Sequence, residues 1–147
     1  MIRKSTKADM DILMKIWLDT NIKAHHFIEE SYWQKNYTKV KEILPSAELY
    51  VYEYDGDVIA FIGIMEKYIA GLFVKEDFQT NGYGKALLNY VKQSKEELFL
   101  QVYKENKQAI HFYQREGFEI NKEQIDPNTN NIEYVMSWNN RLADEEK

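Results

Sequence analysis

Cysteine is absent from this chain of 147 residues, and only two residues are proline. The absence of cysteine excludes disulfides, metal sites built on cysteine and any covalent acyl-cysteine intermediate. Hydrophobic residues make up 44% of the sequence and charged residues 29%, values typical of a globular domain. Disordered, collagen-like and coiled-coil chains are therefore excluded, and the length is that of one domain with its own core.

Long hydrophobic runs and an excess of basic residues are also lacking. The longest apolar stretch, residues 58–65, has the length of a strand and is too short to cross a bilayer. The N-terminus lacks the apolar segment of a signal peptide. We therefore expect a soluble cytoplasmic protein without a membrane partner. The 19 basic residues against 24 acidic ones give a net charge of −5, which argues against a nucleic-acid partner and favours a cationic substrate.

Hydrophobic periodicity predicts a single α/β domain over residues 1–147, with a frayed polar tail at 139–147. Helices are predicted from residue 10 onward and over residues 30–43, 82–94 and 106–116. Strands are predicted over residues 48–54, 57–66, 68–74 and 98–102, from residue 118, and over residues 132–138. Early strands joined by hairpins, followed by strand–helix–strand crossovers, predict a mixed sheet of six to seven strands with helices on both faces.

One segment between a strand and a helix suggests a phosphate site. It reads Gln79-Thr80-Asn81-Gly82-Tyr83-Gly84-Lys85. Backbone N–H groups at a helix N-terminus are unpaired and carry partial positive charge, and glycine lets a phosphate come close to them. A Walker A loop is excluded because Ala86 stands where serine or threonine is required, and a Rossmann fingerprint because Leu87 replaces its third glycine. A tight turn without a ligand remains the alternative.

Two motifs together resemble those of the GNAT (Gcn5-related) N-acetyltransferases. The stretch from Gln79 to Gly84 is similar to the family's Q/R-x-x-G-x-G/A pyrophosphate loop, and it lies between a strand and a helix as in that family. The stretch from Asn106 to Phe118 resembles the family's N-x-x-A-x-x-F-Y-x-x-x-G-F segment. Residues 24–28, with Tyr32 and Trp33, further resemble a YjaB-like bacterial subgroup. The resemblance covers nearly the whole chain and implies the GNAT fold.

The resemblance implies acetyl-CoA as the donor and a primary amine, in a small molecule or a peptide, as the acceptor. It also implies a set of cofactor-binding positions: Leu72, Phe73 and Val74 along the pantetheine arm, Gln79, Thr80, Asn81, Gly82, Tyr83, Gly84 and Lys85 around the pyrophosphate, and Asn106 and Tyr113 near the thioester. Asn106 and Tyr113 are seven residues apart and share one helix face. A tyrosine hydroxyl can protonate the departing thiolate, so Tyr113 is expected to be the general acid.

The proton acceptor is harder to assign from the sequence. A lysine-like amine has a pKa near ~10.4, so a group must accept its proton before it attacks. Relatives in the subgroup carry an acidic residue where this chain has Ala70. We predict His25 as the base, in preference to His26, because neutral imidazole accepts protons near pH 7. A structural histidine at a helix end is the alternative.

Two further features are expected on the acceptor side. Gln101 is expected near the acetyl group, where relatives carry a polar residue. Four aromatic residues form either a wall for the acceptor or part of the core: Trp17, Phe27, Tyr32 and Trp33. Without cysteine, direct attack in a ternary complex is the expected mechanism. No metal is expected, and the chain is predicted to be a monomer or a homodimer. A catalytically weak acyl-CoA-binding module and an interaction domain without a cofactor are the rival functions.

Overall fold

The computed structural model describes residues 1–140. The predicted frayed tail therefore falls mostly on residues 141–147, which lie outside the described residues. Its first two residues correct the prediction: Asn139 ends the last strand, and the Asn140 N–H donates to the Glu96 carbonyl at 2.8 Å. No helix in the described part of the chain is long and apolar enough to span a membrane.

Helices and strands follow the predicted order closely. The helices are α1 (Met10–Ala24), α2 (Glu30–Ile43), α3 (Tyr83–Lys92) and α4 (Lys107–Arg115), and the strands are β1 (Ile2–Lys4), β2 (Glu48–Tyr54), β3 (Asp57–Met65), β4 (Tyr68–Val74), β5 (Glu97–Tyr103), β6 (Glu119–Asp126) and β7 (Asn131–Asn139). The sequence analysis missed β1, because three residues are too few to show an alternating pattern. The other differences are shifts of one to three residues at element ends.

The strands form one mixed sheet in the order β1-β2-β3-β4-β5-β7-β6. Neighbouring strands are antiparallel except β4 and β5, which run parallel. The β2–β3 hairpin turns at Asp55 and Gly56, whose φ angles of 52° and 85° suit a type I′ turn. The seven-stranded mixed sheet confirms the predicted fold class.

Helices cover both faces of the sheet, so the molecule has two cores. On one face, Leu87, Leu88 and Val91 of α3 and Ile110 of α4 are buried against the sheet. On the other face, the buried side chains come from α1 and α2: Leu13, Met14, Ile16, Trp17 and Trp33. Strand β3 contributes to both, because Ile62 belongs to the first core and Phe61 to the second. This explains why β3 reads as a continuous apolar run.

An ion pair joins the N-terminal strand to the first helical turn. The Arg3 guanidinium donates to both carboxylate oxygens of Asp9, with Nη1–Oδ2 at 2.8 Å and Nη2–Oδ1 at 3.1 Å. It also reaches Glu53 Oε1 of β2 at 3.1 Å. The Thr6 N–H donates to Asp9 Oδ2 at 2.7 Å, which is one of the two bonds of a capping box. The hydrogen bond from Arg3 is the main reason why the pKa of Asp9 falls to about 2.

This ion pair predicts a specific loss of stability in acid. The pKa of Asp9 falls from 3.8 to about 2 on folding, so the unfolded chain binds the proton first. The stabilisation is complete above about pH 4 and is lost as the pH falls toward 2. We expect Asp9→Asn to lower the free energy of unfolding by about 1 kcal/mol at pH 7. Urea unfolding between pH 7 and 2 should show a shallower acid decline for the variant than for the wild type.

Asp11 provides the matched control for this measurement. Its side chain is 89% exposed and pairs with Lys41 on the same helical surface. We expect Asp11→Asn to keep the acid decline of the wild type. The assignment would be contradicted if Asp9→Asn and the wild type lost stability in parallel between pH 4 and pH 2.

Candidate active site

The site begins where β4 and β5 part. These parallel strands share one pair of Cα partners, Tyr68 and Phe99, at the start of β4. Beyond that pair, β4 continues to Val74 with β3 on one side and no strand on the other. A wedge-shaped gap therefore opens in the middle of the sheet, next to the edge of β4.

Unpaired peptide groups line the β4 side of this gap. The Lys75 N–H donates to the Ile59 carbonyl at 2.9 Å. Hydrogen bonds alternate along an antiparallel ladder, so the peptide groups of Phe73 point toward β3, whereas those of Leu72 and Val74 point toward the gap. The Val74 carbonyl accepts a hydrogen bond from Gln79 Nε2 at 2.9 Å. The gap therefore presents an extended backbone edge to which a ligand with amide groups can add like a strand.

The glycine-containing loop follows β4 and presents backbone donors. The side chains of Thr80 and Asn81 both donate to the Gln79 carbonyl, at 2.6 Å and 3.1 Å. Gly82 precedes α3 with a φ of 89°, in the left-handed region that favours glycine. No backbone N–H from residue 80 to residue 85 donates a hydrogen bond within the described chain. These donors at a helix N-terminus form a pocket suited to an anion.

The remaining loop residues shape this anion pocket. A Cβ built at Gly84 would lie 3.6 Å from Val74 and 3.8 Å from Leu72, so the loop lies directly against the β4 side chains. Lys85 is exposed in the first turn of α3 and forms no ion pair with any described residue. The Tyr83 ring packs against Tyr52 at 4.8 Å between centroids. Tyr83 therefore packs the loop against β2, and the Lys85 ammonium adds a positive charge near the backbone N–H donors.

Asn106 starts α4 and connects it to the end of α1. Its Oδ1 accepts the Ala109 N–H at 3.3 Å, which makes Asn106 the N-cap of α4. Its Nδ2 lies 3.3 Å from Nε2 of His25, the residue that ends α1. Nδ1 of that imidazole lies 3.1 Å from the Asn21 carbonyl, which can only accept. The bonds therefore assign the proton to Nδ1, and Nε2 accepts from Asn106.

His25 is neutral in this environment. Burial lowers its pKa from 6.5 to about 4, against the opposing effect of the hydrogen bond to the Asn21 carbonyl. The ring stacks on Trp33 with centroids 5.2 Å apart and meets Tyr103 edge-on at 5.1 Å. Its lone pair is already used by Asn106. The assignment of His25 as the base stays a prediction, and its contacts describe a residue that holds Asn106 in place.

Tyr113 lies on the buried face of α4 and has an uncommitted hydroxyl. Its ring packs edge-on against Phe112 at 5.1 Å and Phe118 at 5.4 Å. None of the hydrogen bonds among residues 1–140 involves its hydroxyl group. Burial raises its pKa, and Tyr68, at the point where β4 and β5 part, adds to the effect. Tyr113 therefore stays protonated at neutral pH and interacts electrostatically with a residue of the gap.

The aromatic residues named from the sequence gather on the α1–α2 side of the gap. Trp33 meets Trp17 at 5.9 Å and Tyr32 at 4.9 Å between ring centroids. Phe27 packs against Tyr103 of β5 at 5.7 Å, a residue that the sequence analysis did not consider. The four residues therefore belong to one connected cluster that reaches from the helices to β5. Trp17 and Trp33 are part of the buried core, Phe27 and Tyr32 are partly buried against it, and a role as an acceptor wall stays a prediction.

Ala70 lies at an irregularity of β4. Gly63 pairs with Gly71, whereas Ile64 pairs with Ile69, so Ala70 is the extra residue of a bulge. With Gly71 it lines an apolar cavity of about 200 Å³ between β4 and α2. The position where subgroup relatives are expected to carry an acidic residue is therefore apolar here.

Glu133 of β7 is a buried carboxylate that the sequence analysis did not consider. It is 8% exposed and directly opposite Tyr103 in the β5–β7 ladder. The side chain of Gln101, two residues before Tyr103 on the same face, accepts a hydrogen bond from the Tyr68 hydroxyl at 3.3 Å. Glu133 is the one charged residue of the predicted strand over residues 132–138, and this could have marked it as unusual.

Comparison with known proteins agrees with this geometry. The model of the Acetyltransferase (GNAT) domain matches residues 45–120. Peptidyl-lysine N-acetyltransferase YiaC of Escherichia coli K12 is 35% identical over 140 residues, which are 94% of this chain and 96% of YiaC. Peptidyl-lysine N-acetyltransferase YjaB of the same strain is 28% identical over 120 residues, which are 81% of this chain and 82% of YjaB.

A solved structure supports the same assignment at the level of the fold. The solution structure of the apo form of YjaB from Escherichia coli superimposes with a TM-score of 0.83 at 23% sequence identity, and the match covers 94% of this chain and 96% of that one. The matched domain contains the edge of β4, the glycine-containing loop and the helix that carries Tyr113. The chain is therefore an acetyltransferase of the GNAT family.

Proposed function

We propose that this chain transfers the acetyl group of acetyl-CoA to the side-chain amine of lysine in a peptide or protein, by direct attack within a ternary complex. Acetyl-CoA is the donor that GNAT acetyltransferases use. The observation that carries the acceptor assignment is the 35% identity to a peptidyl-lysine N-acetyltransferase over 94% of this chain. An acceptor side with aromatic walls and a net charge of −5 also suits a cationic substrate.

The residues present fit the donor. The free N–H groups of residues 80–85 and the exposed Lys85 ammonium match a pyrophosphate in charge and in hydrogen-bonding capacity. The peptide groups of Leu72 and Val74 match the two amides of a pantetheine arm. When bound, acetyl-CoA supplies the acetyl thioester. The chain's own residues orient it, receive the acceptor and move the protons.

Tyr113 is proposed as the general acid. Its hydroxyl is protonated, has no protein partner in the described chain and lies on the helix that Asn106 caps. A group in this state can donate its proton to a departing thiolate. The absence of cysteine supports direct attack, because a covalent acyl-cysteine intermediate has no residue on which to form.

His25 is proposed to act through Asn106. The neutral imidazole accepts a hydrogen bond from Asn106 Nδ2, while Asn106 Oδ1 caps α4. This chain of bonds fixes the start of the helix that carries Tyr113. The alternative proposed from the sequence, His25 as proton acceptor, requires Nε2 to exchange its bond to Asn106 for one to the acceptor amine.

Gly82→Val should prevent acetyl-CoA binding. The substitution strains a residue with a φ of 89° and puts a side chain into open space beside the backbone donors. We expect the affinity measured by isothermal titration to fall by at least about tenfold, which corresponds to about 1.4 kcal/mol.

Gly56 is the matched control for Gly82. Its φ is 85°, and a Cβ built there also meets nothing within 4 Å, but it lies in the β2–β3 turn. Gly56→Val should therefore cost similar folding stability and leave acetyl-CoA affinity unchanged. Equal affinities of the wild type and Gly82→Val would remove the loop from the cofactor site.

Tyr113→Phe should lower turnover and leave donor binding intact. The substitution removes the hydroxyl and keeps the ring that packs between Phe112 and Phe118. We expect kcat for acetylation of a lysine peptide to fall about 10²–10⁴-fold, the usual contribution of a general acid. The release of CoA thiol under saturating donor measures this rate.

Tyr90→Phe is the corresponding control, because Tyr90 is 41% exposed on α3. It should retain the wild-type rate. A wild-type kcat in Tyr113→Phe would exclude Tyr113 as the acid. Tight acetyl-CoA binding by the wild type without transfer to any lysine peptide would favour the rival function of an acyl-CoA-binding module.

A further inference from the structure

Glu133 is a buried carboxylate without a cationic partner among residues 1–140. It is 8% exposed, and its Oε1 accepts a single hydrogen bond, from Gln124 Nε2 at 3.1 Å. Its Oε2 accepts none from any described residue, and no described lysine, arginine or histidine forms an ion pair with it. A buried charge is costly unless a partner of opposite charge compensates it. Glu133 therefore has room for a cationic partner that the described chain does not supply.

The second carboxylate oxygen of Glu133, Oε2, is in contact with solvent. Among the described residues, Trp33 Nε1 is the one fully buried side-chain nitrogen or oxygen atom that lacks a hydrogen-bond partner. Because Glu133 Oε2 also lacks a partner there, it is not fully buried and retains contact with solvent. Glu133 projects to the side of the sheet that carries Gln101 and Tyr103, opposite the core formed with α3 and α4. This is the side on which the aromatic cluster lies, and it is the acceptor side of the gap.

Electrostatic effects link Glu133 to the proposed acid. Burial raises the pKa of Tyr68, and Glu133 adds to that rise. Tyr68 in turn adds to the rise that burial causes at Tyr113. Tyr68, whose Cα pairs with that of Phe99 where β4 and β5 part, therefore interacts electrostatically with both Glu133 and Tyr113. Glu133 lies on the sheet face opposite the core that contains Tyr113.

Four other titratable groups surround Glu133. Tyr32 of α2, Tyr68 of β4 and Tyr103 of β5 bring hydroxyls, and Asp126 at the end of β6 brings a second carboxylate. The Tyr103 hydroxyl donates to Asp126 Oδ2 at 2.5 Å, and the Asn128 N–H donates to Asp126 Oδ1 at 2.9 Å. Asp126 is therefore hydrogen-bonded at both oxygens, whereas Glu133 has one oxygen left. Burial, and after it Asp126 and Glu133, raises the pKa of Tyr32, so all of these groups act within one local field.

We infer that Glu133 is a catalytic residue that binds the acceptor ammonium at Oε2 and accepts its proton. The inference rests on the proposed function and names the residue that replaces the carboxylate lacking at Ala70. A carboxylate attracts the cationic form of the amine, which neutral His25 does not. The aromatic rings of Tyr32 and Tyr103 provide walls suited to the same cation.

The proposed step balances as follows. The ammonium form of the acceptor loses one proton to Glu133, which passes it to water, and the neutral amine becomes the nucleophile. A carbon–nitrogen bond forms to the acetyl carbon, and the carbon–sulfur bond breaks. The nitrogen then loses its second proton. The sulfur gains a proton from the Tyr113 hydroxyl, and Tyr113 regains a proton before the next cycle. The products are the acetylated amine, CoA thiol and one proton in solution.

Glu133→Gln tests the inference directly. The amide is isosteric and retains an oxygen for Gln124, so the fold should persist, which thermal unfolding checks. With a peptide containing a single lysine, we expect kcat/KM for the peptide to fall at least about 100-fold, with acetyl-CoA affinity unchanged. The residual rate of the variant should keep rising with pH toward the pKa of the lysine, about 10.4, because only the free amine can then react. Glu133→Asp should retain more activity than Glu133→Gln, since it keeps the charge.

Two further variants separate the possible outcomes. Glu123→Gln removes a carboxylate from the neighbouring strand, where Glu123 pairs with Lys104 and is half-exposed, and it should retain the wild-type rate and pH profile. Equal rates and pH profiles for Glu133→Gln and Glu123→Gln would overturn the inference. It would also be overturned if His25→Gln, and not Glu133→Gln, changed the dependence of kcat/KM on pH. If the wild type binds acetyl-CoA but acetylates no lysine peptide, the proposed function fails and the inference with it. If the wild type acetylates the peptide and Glu133→Gln does so at the same rate, the inference is refuted and the proposed function stands.

Discussion

The parting of β4 and β5 after the Tyr68–Phe99 pair leaves peptide groups of Leu72 and Val74 without a strand partner. Backbone N–H and C=O groups in a protein interior require hydrogen bonds, so an open seam in the middle of a sheet is stable only if something else can occupy it. Solvent and the Gln79 side chain provide some of these hydrogen bonds. A bound acetyl donor with amide groups can provide the others. The position of the site follows from this seam.

The sheet separates the candidate site residues between its two faces. The helices α3 and α4 pack on one face and bring the glycine-containing loop and Tyr113 to the seam. The helices α1 and α2 pack on the other face and bring the aromatic cluster and His25. The hydrogen bond between His25 and Asn106 joins the two halves across 81 residues of sequence. A donor and an acceptor can therefore approach the seam from different sides and meet inside it.

Charge distribution gives the acceptor side its character. The ion pair of Arg3 with Asp9 shows how this chain treats a mostly buried carboxylate whose role is structural: both oxygens are matched by a guanidinium. Glu133 is as buried and has an amide on one oxygen only. This difference in hydrogen-bond partners between Asp9 and Glu133 is the physical basis for the inference that Glu133 binds a cationic ligand. The same comparison leaves Asp126, which Tyr103 and a backbone N–H satisfy, with a structural role.

The sequence by itself determined the fold class, most element bounds and the position of the glycine-containing loop before α3, because these depend on local patterns. Periodicity marks α2 as Glu30–Ile43 and β4 as Tyr68–Val74, and the loop motif is contiguous. Only the tertiary structure showed that His25 bonds to Asn106, that β1 completes the sheet, and that Glu133 is buried on the sheet face opposite α3 and α4. These features depend on the packing of elements that are distant in sequence. A carboxylate in a strand looks the same in the sequence whether a cation neutralises it or not, and only the folded neighbours of Glu133 reveal which case applies.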